Sequence, residues 1–422
     1  MKPKFSIKEF INNWLPTADL KKLIIVRGLR SLTQGYIIVI FAIYLSQIGF
    51  SSWLIGVTLG IGSAISAILT LLTGILSDKF GRKIFLIFYG ILLTLSGLIF
   101  AFTTMPFVLI LVSALGGIGR SGGAGGQAGP FAPAETALIS EKTTVLNRSK
   151  VFTLNNMIGI FFTAIGALFA GIPEMLQKLL HLSIFQSYQP LFMCIAFIGI
   201  LTIIILLPIT ELPKKTQEKT AEIKIERKKN FKLIWKISIA GLLNGFGLGF
   251  ISGILPYWLY LRFGVSPETI GPVIGISSLL TSFASLWMVS LAKKFGDVII
   301  ISLSRALGVI FTILLAISPT YPIAAILVAL RMASSMSALS IRQSYTMGII
   351  DEDLRGTAAG MGGVTRRLPA AISPALSGYW LNINQLELPF FASAFFMGAN
   401  AILYFIWFHN IKPKDNSKNT QS

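Results

Sequence analysis

The chain has 422 residues, of which 54% are hydrophobic and only 13% charged, and its formal net charge is +19. A soluble domain carries nearer a quarter charged residues, so the bilayer is the expected solvent. The basic residues fall in short clusters between apolar runs, which speaks against nucleic acid as a partner, and the lone Cys194 excludes an internal disulfide framework or a cysteine metal cluster.

Residues 1–22 form a polar, Lys-rich arm without the apolar core and small-residue cleavage site of a signal peptide. Apolar segments follow at about 23–48, 53–77, 84–104, 106–128, 150–172 and 190–209. Each is near the roughly 20 residues that cross a bilayer. The stretch 211–232 holds eight Lys/Arg and four Glu and reads as a solvated linker. A second set lies at about 233–261, 270–292, 298–317, 321–345, 356–381 and 388–408, followed by a tail at 409–422. The expected fold is therefore an all-α integral membrane protein of 12 transmembrane helices. Its domains are the arm, a six-helix bundle over 23–210, the linker, a second bundle over 233–408 and the tail. With both termini on one side, the connections on that side hold most of the 36 basic residues, and the opposite ones hold only Lys178 and Arg262. The Lys/Arg bias then puts both termini and the linker in the cytoplasm, in a multi-pass protein of the cell membrane.

The halves repeat in parallel. A shift of 215 residues brings Gly49 onto Gly264, Ile55-Gly56 onto Ile270-Gly271, and Lys79-Phe80-Gly81 onto Lys294-Phe295-Gly296; a shift of 207 brings Arg148 onto Arg355.

Between the second and third spans stands GILSDKFGRK, residues 74–83. Its Gly74, Leu76, Asp78, Lys79, Gly81, Arg82 and Lys83 resemble the loop signature of the major facilitator superfamily. The parallel six-helix halves extend that resemblance over nearly the whole chain. The second copy departs from it, with Lys293 and Asp297 where the first has Asp78 and Arg82. The resemblance implies a secondary transporter that rocks two six-helix halves about a central site. It also implies a conformational gate of Gly74, Asp78, Lys79, Gly81, Arg82, Lys83 and Arg355. Asp78 would meet the start of the eleventh helix or Arg355 and favour the outward-open state.

Charges inside spans are costly and usually functional. Every carboxylate reads as belonging to a loop, a helix end, the arm, the linker or the tail, Glu135 among the cytoplasmic loops and helix ends. That counts against a proton pathway through a buried acid, and His181 and His409 lie too near span ends for a relay. Arg120 in the fourth span, Arg331 in the tenth and Arg366 and Arg367 in the eleventh lie deep, while Arg27, Arg30 and Arg305 lie nearer the cytoplasmic ends. The facilitator fold implies that the deep arginines line a central cavity, where guanidinium would hold carboxylate or phosphate. Further contacts are expected from Gln34 and Tyr36, Asn155 and Asn156, and Asn244, Tyr257 and Trp258, although each serves equally as an interhelical bond or interface aromatic. The small-residue run 116–130, GGIGRSGGAGGQAGP, suits close helix packing beside Arg120. It resembles the fourth-helix arginine motif of drug antiporters only loosely, and the fifth span lacks their paired glycines.

No ATP-binding motif, catalytic set, cofactor site or metal site appears, so an enzyme is not expected. Two transport readings remain open. One is an exporter of drug-like or amphipathic compounds or metabolites, and the other is a carrier of organic or inorganic anions through an arginine-lined cavity. A non-transporting receptor or scaffold is the reading from another class. The expected partners are a small-molecule substrate, the bilayer and a coupling ion (a proton or a counter-transported anion), with the protein a monomer.

Overall fold

A computed structural model describes residues 15, 17–116, 130–143, 145–211, 227–350 and 355–411. Among the described residues every regular element is helical. The first half comprises α1 (Ala18–Gln47), α2 (Ser52–Phe80), α3 (Arg82–Phe102), α4 (Pro106–Gly116), α5 (Phe131–Glu141), α6 (Val145–Leu168), α7 (Ile172–Leu180) and α8 (Ile184–Leu206). The second comprises α9 (Arg227–Ser252), α10 (Leu255–Phe263), α11 (Pro267–Phe295), α12 (Asp297–Ala316), α13 (Tyr321–Ser337), α14 (Leu339–Gly348), α15 (Arg355–Asn382) and α16 (Leu388–Phe408).

Among the described residues ten helical stretches are long and apolar enough to cross a membrane. The fourth and eleventh of the twelve expected spans complete the count. The fourth begins in the short apolar α4, with residues 117–129 outside the described set, and the eleventh is α15, whose apolar run is interrupted by Arg366 and Arg367. Large apolar side chains face outward along these helices, as with Phe283, Leu286 and Trp287 at 70%, 68% and 76% exposure. A water-facing surface would not tolerate such a stripe; hydrocarbon does.

Packing divides the chain into two units, Met1–Phe50 with Ile61–Lys215 and Val265–Gly275, and Ser51–Gly60 with Thr216–Gly264 and Ile276–Ser422. In the first unit α1 lies against α6 at Gly35 and Gly166, where any side chain would run into backbone of the facing helix. In the second unit Gly245 and Gly249 of α9 admit α15 in the same way, at Arg366 O, Ala370 and Ser373. Hydrocarbon supplies no hydrophobic drive between helices, so close backbone approach of this kind carries much of their association.

The internal repeat is visible in the backbone. α2 and α11 share their length and, shifted by 215 residues, their bounds, and α3, α12, α4 and α13 start in the same register. The turn glycines match as well: Gly81 has φ 103° and ψ 143°, and Gly296 has φ 94° and ψ 146°. Only glycine adopts this region readily, because a Cβ would collide with its own backbone.

The signature turn is tied into its own unit. The Arg82 guanidinium donates to Ala137 O at 3.1 Å and to Glu141 Oε2 at 2.9 Å. Lys83 donates its backbone N–H to Glu211 Oε1 and its ammonium to Leu207 O at the end of α8. Through these partners Arg82 and Lys83 fasten the α2–α3 turn to α5 and α8. Lys79 lies exposed with its ammonium 5.5 Å from the Phe80 ring centroid. Gly74 sits where a side chain would meet nothing within 4 Å, so the close helix contact expected there is absent. Asp78 and Arg355 lie in α2 and α15, but their side chains fall outside the described set.

A Cβ at Gly296 would meet no neighbour, whereas one at Gly81 would meet the Glu211 carboxylate. Gly296→Ala should therefore cost only the backbone term, about 1–3 kcal/mol. Gly81→Ala should cost more and displace Glu211. Thermal melts of the two variants in detergent check this, and equal losses would remove the Glu211 contact from the account.

Candidate functional site

The first unit contains a small cleft of about 50 Å³. One wall is α1, where Arg30, Thr33, Gln34 and Ile37 recur at the three- and four-residue spacing of one helix face. Tyr89 and Leu93 of α3, Leu115 and Gly116 of α4, Phe131 of α5 and Ile195 of α8 supply the rest. The walls are mostly apolar, and the polar groups gather on the α1 side.

Beside this cleft lies a buried charge triad. Arg27 and Arg30 are three residues apart on α1, and Phe131 and Glu135 are four apart on α5, so two matched faces meet. Glu135 Oε2 lies 3.8 Å from Arg27 Nη1 and 3.7 Å from Arg30 Nη1. Arg27 is 1% exposed, Arg30 8% and Glu135 3%. The Arg30 guanidinium also stacks over Phe131, 3.3 Å from the ring centroid. A cation over an aromatic face replaces part of its lost hydration. One carboxylate lies between two guanidinium groups, and Arg30 also reaches the cleft wall.

Glu135 was expected at a loop or helix end. It is buried on α5, one turn beyond Phe131, where proline at 130 and 133 suits the first turn of a helix as well as a break. Arg27 and Arg30 were expected near the end of the span; their shared carboxylate was the missing signal.

Other expected residues divide between the units. Gln34 lines the first unit's cleft. Tyr36 does not face a ligand: it is fully buried, and its hydroxyl donates to Leu191 O at 2.9 Å, which ties α1 to α8. Asn155 is buried with its Oδ1 lacking a hydrogen-bond partner. In the second unit, Asn244 is 5% exposed, and Tyr257 is buried with its hydroxyl 2.8 Å from Ser52 Oγ, an interhelical bond. Trp258 is likewise structural, its indole donating to Leu386 O at 2.8 Å. Arg331 is 5% exposed, and Arg366 and Arg367 are half-buried on α15. Among the described residues none of these three arginines has a carboxylate partner. Arg120 lies outside the described residues. Among the described residues no group of three or more His, Cys, Asp or Glu side chains suits a metal ion.

The family model of the Major Facilitator Superfamily matches residues 23–238 and 237–422. The chain belongs to the Major Facilitator Superfamily. It is 23% identical over 417 residues to the membrane protein YJR124C of Saccharomyces cerevisiae, covering 91% of this chain and 92% of that one. It is 23% identical over 367 residues to the quinolone resistance protein NorA of Staphylococcus aureus, covering 85% and 88%. The fold matches that of a bacterial homolog to the human lysosomal transporter Spinster, with TM-score 0.71 and 14% identity over 92% of this chain and 96% of that one. This facilitator chain is thus a multi-pass membrane protein of a transporter family, and its fold is the twelve-helix arrangement of that family.

Glu135→Gln leaves two buried guanidinium groups without their shared carboxylate. It should cost about 3–5 kcal/mol of stability. Gln34→Ala, at a cleft wall, should cost less than about 1 kcal/mol. Thermal melts of the detergent-solubilised variants test the contrast, and similar losses for both would mean that the triad is not an ion pair in solution.

Proposed function

We propose that this protein is a secondary exporter of amphipathic small molecules whose preferred cargo carries an anionic group. The observation that carries the reading is the first unit's cleft, apolar over most of its wall, with the Arg30 guanidinium and Gln34 on one side. Apolar walls would take the body of such a compound, and Arg30 with Gln34 would take its polar end. Guanidinium binds carboxylate or phosphate through two parallel hydrogen bonds. Resemblance to NorA, named for quinolone resistance, supports export of drug-like compounds.

The charge arithmetic also bears on energy coupling. An interior-negative membrane expels an anion with about 2.3 kcal/mol per charge for each 100 mV. Export of a monoanion therefore needs no coupled proton. The Lys/Arg bias of the connections supports both termini on the cytoplasmic side of the cell membrane, and one copy of the chain suffices for the mechanism.

A carrier of small inorganic or organic anions is the second reading. Arg331 favours it, because its Nε is buried without a hydrogen-bond partner and no carboxylate pairs with it among the described residues. The receptor or scaffold reading has no such support.

A matched pair of probes tests the proposal, an aromatic carboxylic acid and its methyl ester. Purified protein should bind the acid at least about tenfold more tightly, the size of one charge-assisted hydrogen bond. Arg30→Gln should bring the acid down to the affinity of the ester. That variant keeps the Arg27–Glu135 pair, so it should still fold. Equal affinity for acid and ester in the unaltered protein would defeat the reading. Loss of small-anion flux in Arg331→Ala, with acid binding kept, would favour the second.

A further inference from the structure

The first unit contains one short helix whose polarity is reversed. α7 follows α6 after a single 3-10 turn at Phe169–Gly171, with the buried Pro173 in its first turn. Ile172, Met175, Leu176, Leu179 and Leu180 recur at the three- and four-residue spacing of one helix face, and Glu174, Gln177 and Lys178 take the other. In a soluble protein such an apolar stripe faces the core. Here Met175, Leu179 and Leu180 are 48%, 68% and 61% exposed, and Ile172 and Leu176 are half-buried. The polar face makes the contacts with neighbouring helices instead. Gln177 Nε2 donates to Ser187 Oγ of α8 at 2.8 Å. The Lys178 ammonium lies 3.1 Å from Glu174 Oε1 and 3.3 Å from Glu268 Oε2 of α11.

These contacts fix the height of α7. The 24 residues of α6 already make about 36 Å of helix, more than the roughly 30 Å of hydrocarbon in a bilayer. Ser187 is the fourth residue of α8 and Glu268 the second of α11, whose start packs within the same unit. Gly171 lets α11 come this close, since a Cβ there would stand 3.1 Å from Glu268 Cα. α7 therefore lies level with two helix starts, at the membrane face opposite the termini. An exposed apolar surface continues on both sides of it, with Leu168 and Phe169 before it and Ile184 after it, and runs on along Met193 and Phe197 of α8.

We propose that α7 is an interfacial helix docked on the lipid leaflet opposite the termini, its apolar stripe in the boundary between headgroups and acyl chains and its polar face holding the starts of α8 and α11. A helix with one apolar and one charged face lies in the plane of that boundary. Water would leave the stripe uncovered, whereas acyl chains cover it. Continuity with the exposed apolar rows of α6 and α8 favours lipid over a second copy of this chain. So does size, because the exposed face of a nine-residue helix falls far short of the roughly 800 Å² per partner of a stable protein interface. Lys178 has a long apolar stem, which keeps its ammonium at water level while the stripe dips below. Two carboxylates accompany that one ammonium, so the docking is apolar and does not require an anionic lipid.

The test uses the full chain in phosphatidylcholine nanodiscs. Cys194, the one native cysteine, is first replaced by Cys194→Ser, and a nitroxide label is then attached through Met175→Cys, Leu179→Cys or Lys178→Cys. Phe283→Cys, on the exposed apolar face of α11, gives the hydrocarbon reference. Labels at 175 and 179 should collide more often with oxygen, which concentrates in hydrocarbon, than with a water-soluble nickel complex, as the label at 283 does. The label at 178 should favour nickel. A second measurement needs no label: Leu179→Gln removes one apolar anchor and should speed hydrogen exchange of the 176–180 amides at least about tenfold in the same nanodiscs. Three results would each overturn the proposal. Nickel ahead of oxygen at both 175 and 179 would place the stripe in water. Exclusion of both reagents there would place a protein surface, such as a second copy, against it. Unchanged exchange in Leu179→Gln would mean that lipid does not hold α7.

Discussion

Two cations and one acid in a medium that solvates neither govern much of this molecule. Burying a lone guanidinium in hydrocarbon is prohibitive, and burying a pair with one carboxylate is tolerable only when aromatic faces and hydrogen bonds do the rest. Glu135 sets the distance between α1 and α5, because its Oε2 must reach Arg27 and Arg30 at once. Phe131, one turn away, covers Arg30 and so fixes the rotation of α5 about its axis. The cleft wall then follows from helix geometry: with Arg30 held by Glu135, Thr33, Gln34 and Ile37 present themselves beside it. Packing and charge in the first unit thus have one origin.

The two units solve the problem of buried charge differently. The first places a carboxylate between its arginines. The second has Arg305, Arg331, Arg342, Arg366 and Arg367 without any carboxylate partner among the described residues. The backbone repeat is close, with turn glycines in the same conformation at Gly81 and Gly296. The side chains have diverged on that common frame. At the turn itself, Arg82 reaches Glu141 in the first unit, while the corresponding Asp297 begins α12. The duplicated scaffold thus carries unlike charge inventories in its two halves.

Much of the fold was legible in the chain. Apolar runs of span length, the polar linker and the 215-residue shift define twelve helices and their repeat, because the bilayer demands length and apolarity and nothing subtler. The site was less legible, for reasons that particular residues show. Glu135 follows two prolines, which hid the helix it stands on. Tyr36 and Tyr257 looked like ligand contacts, but tyrosine hydroxyls in lipid need a partner, and these found Leu191 O and Ser52. Arg305 was placed only by its depth near a span end; its guanidinium stacks on Tyr404, which depth does not reveal. Span length constrains depth, whereas rotation of a helix about its axis depends on its neighbours, and a single sequence states those poorly.

The proposed exporter binds the anionic end of its cargo at Arg30 and moves it across with its charge. Proteoliposomes loaded with an aromatic carboxylate, and clamped by a potassium gradient with valinomycin, test it directly. If the cargo moves as a monoanion, its steady-state ratio across the membrane should follow the imposed potential, by about tenfold per 60 mV, and invert when the potential is inverted. A ratio that ignored the potential and tracked an imposed pH gradient would contradict the account, and would make Glu135 the carrier of a coupled proton.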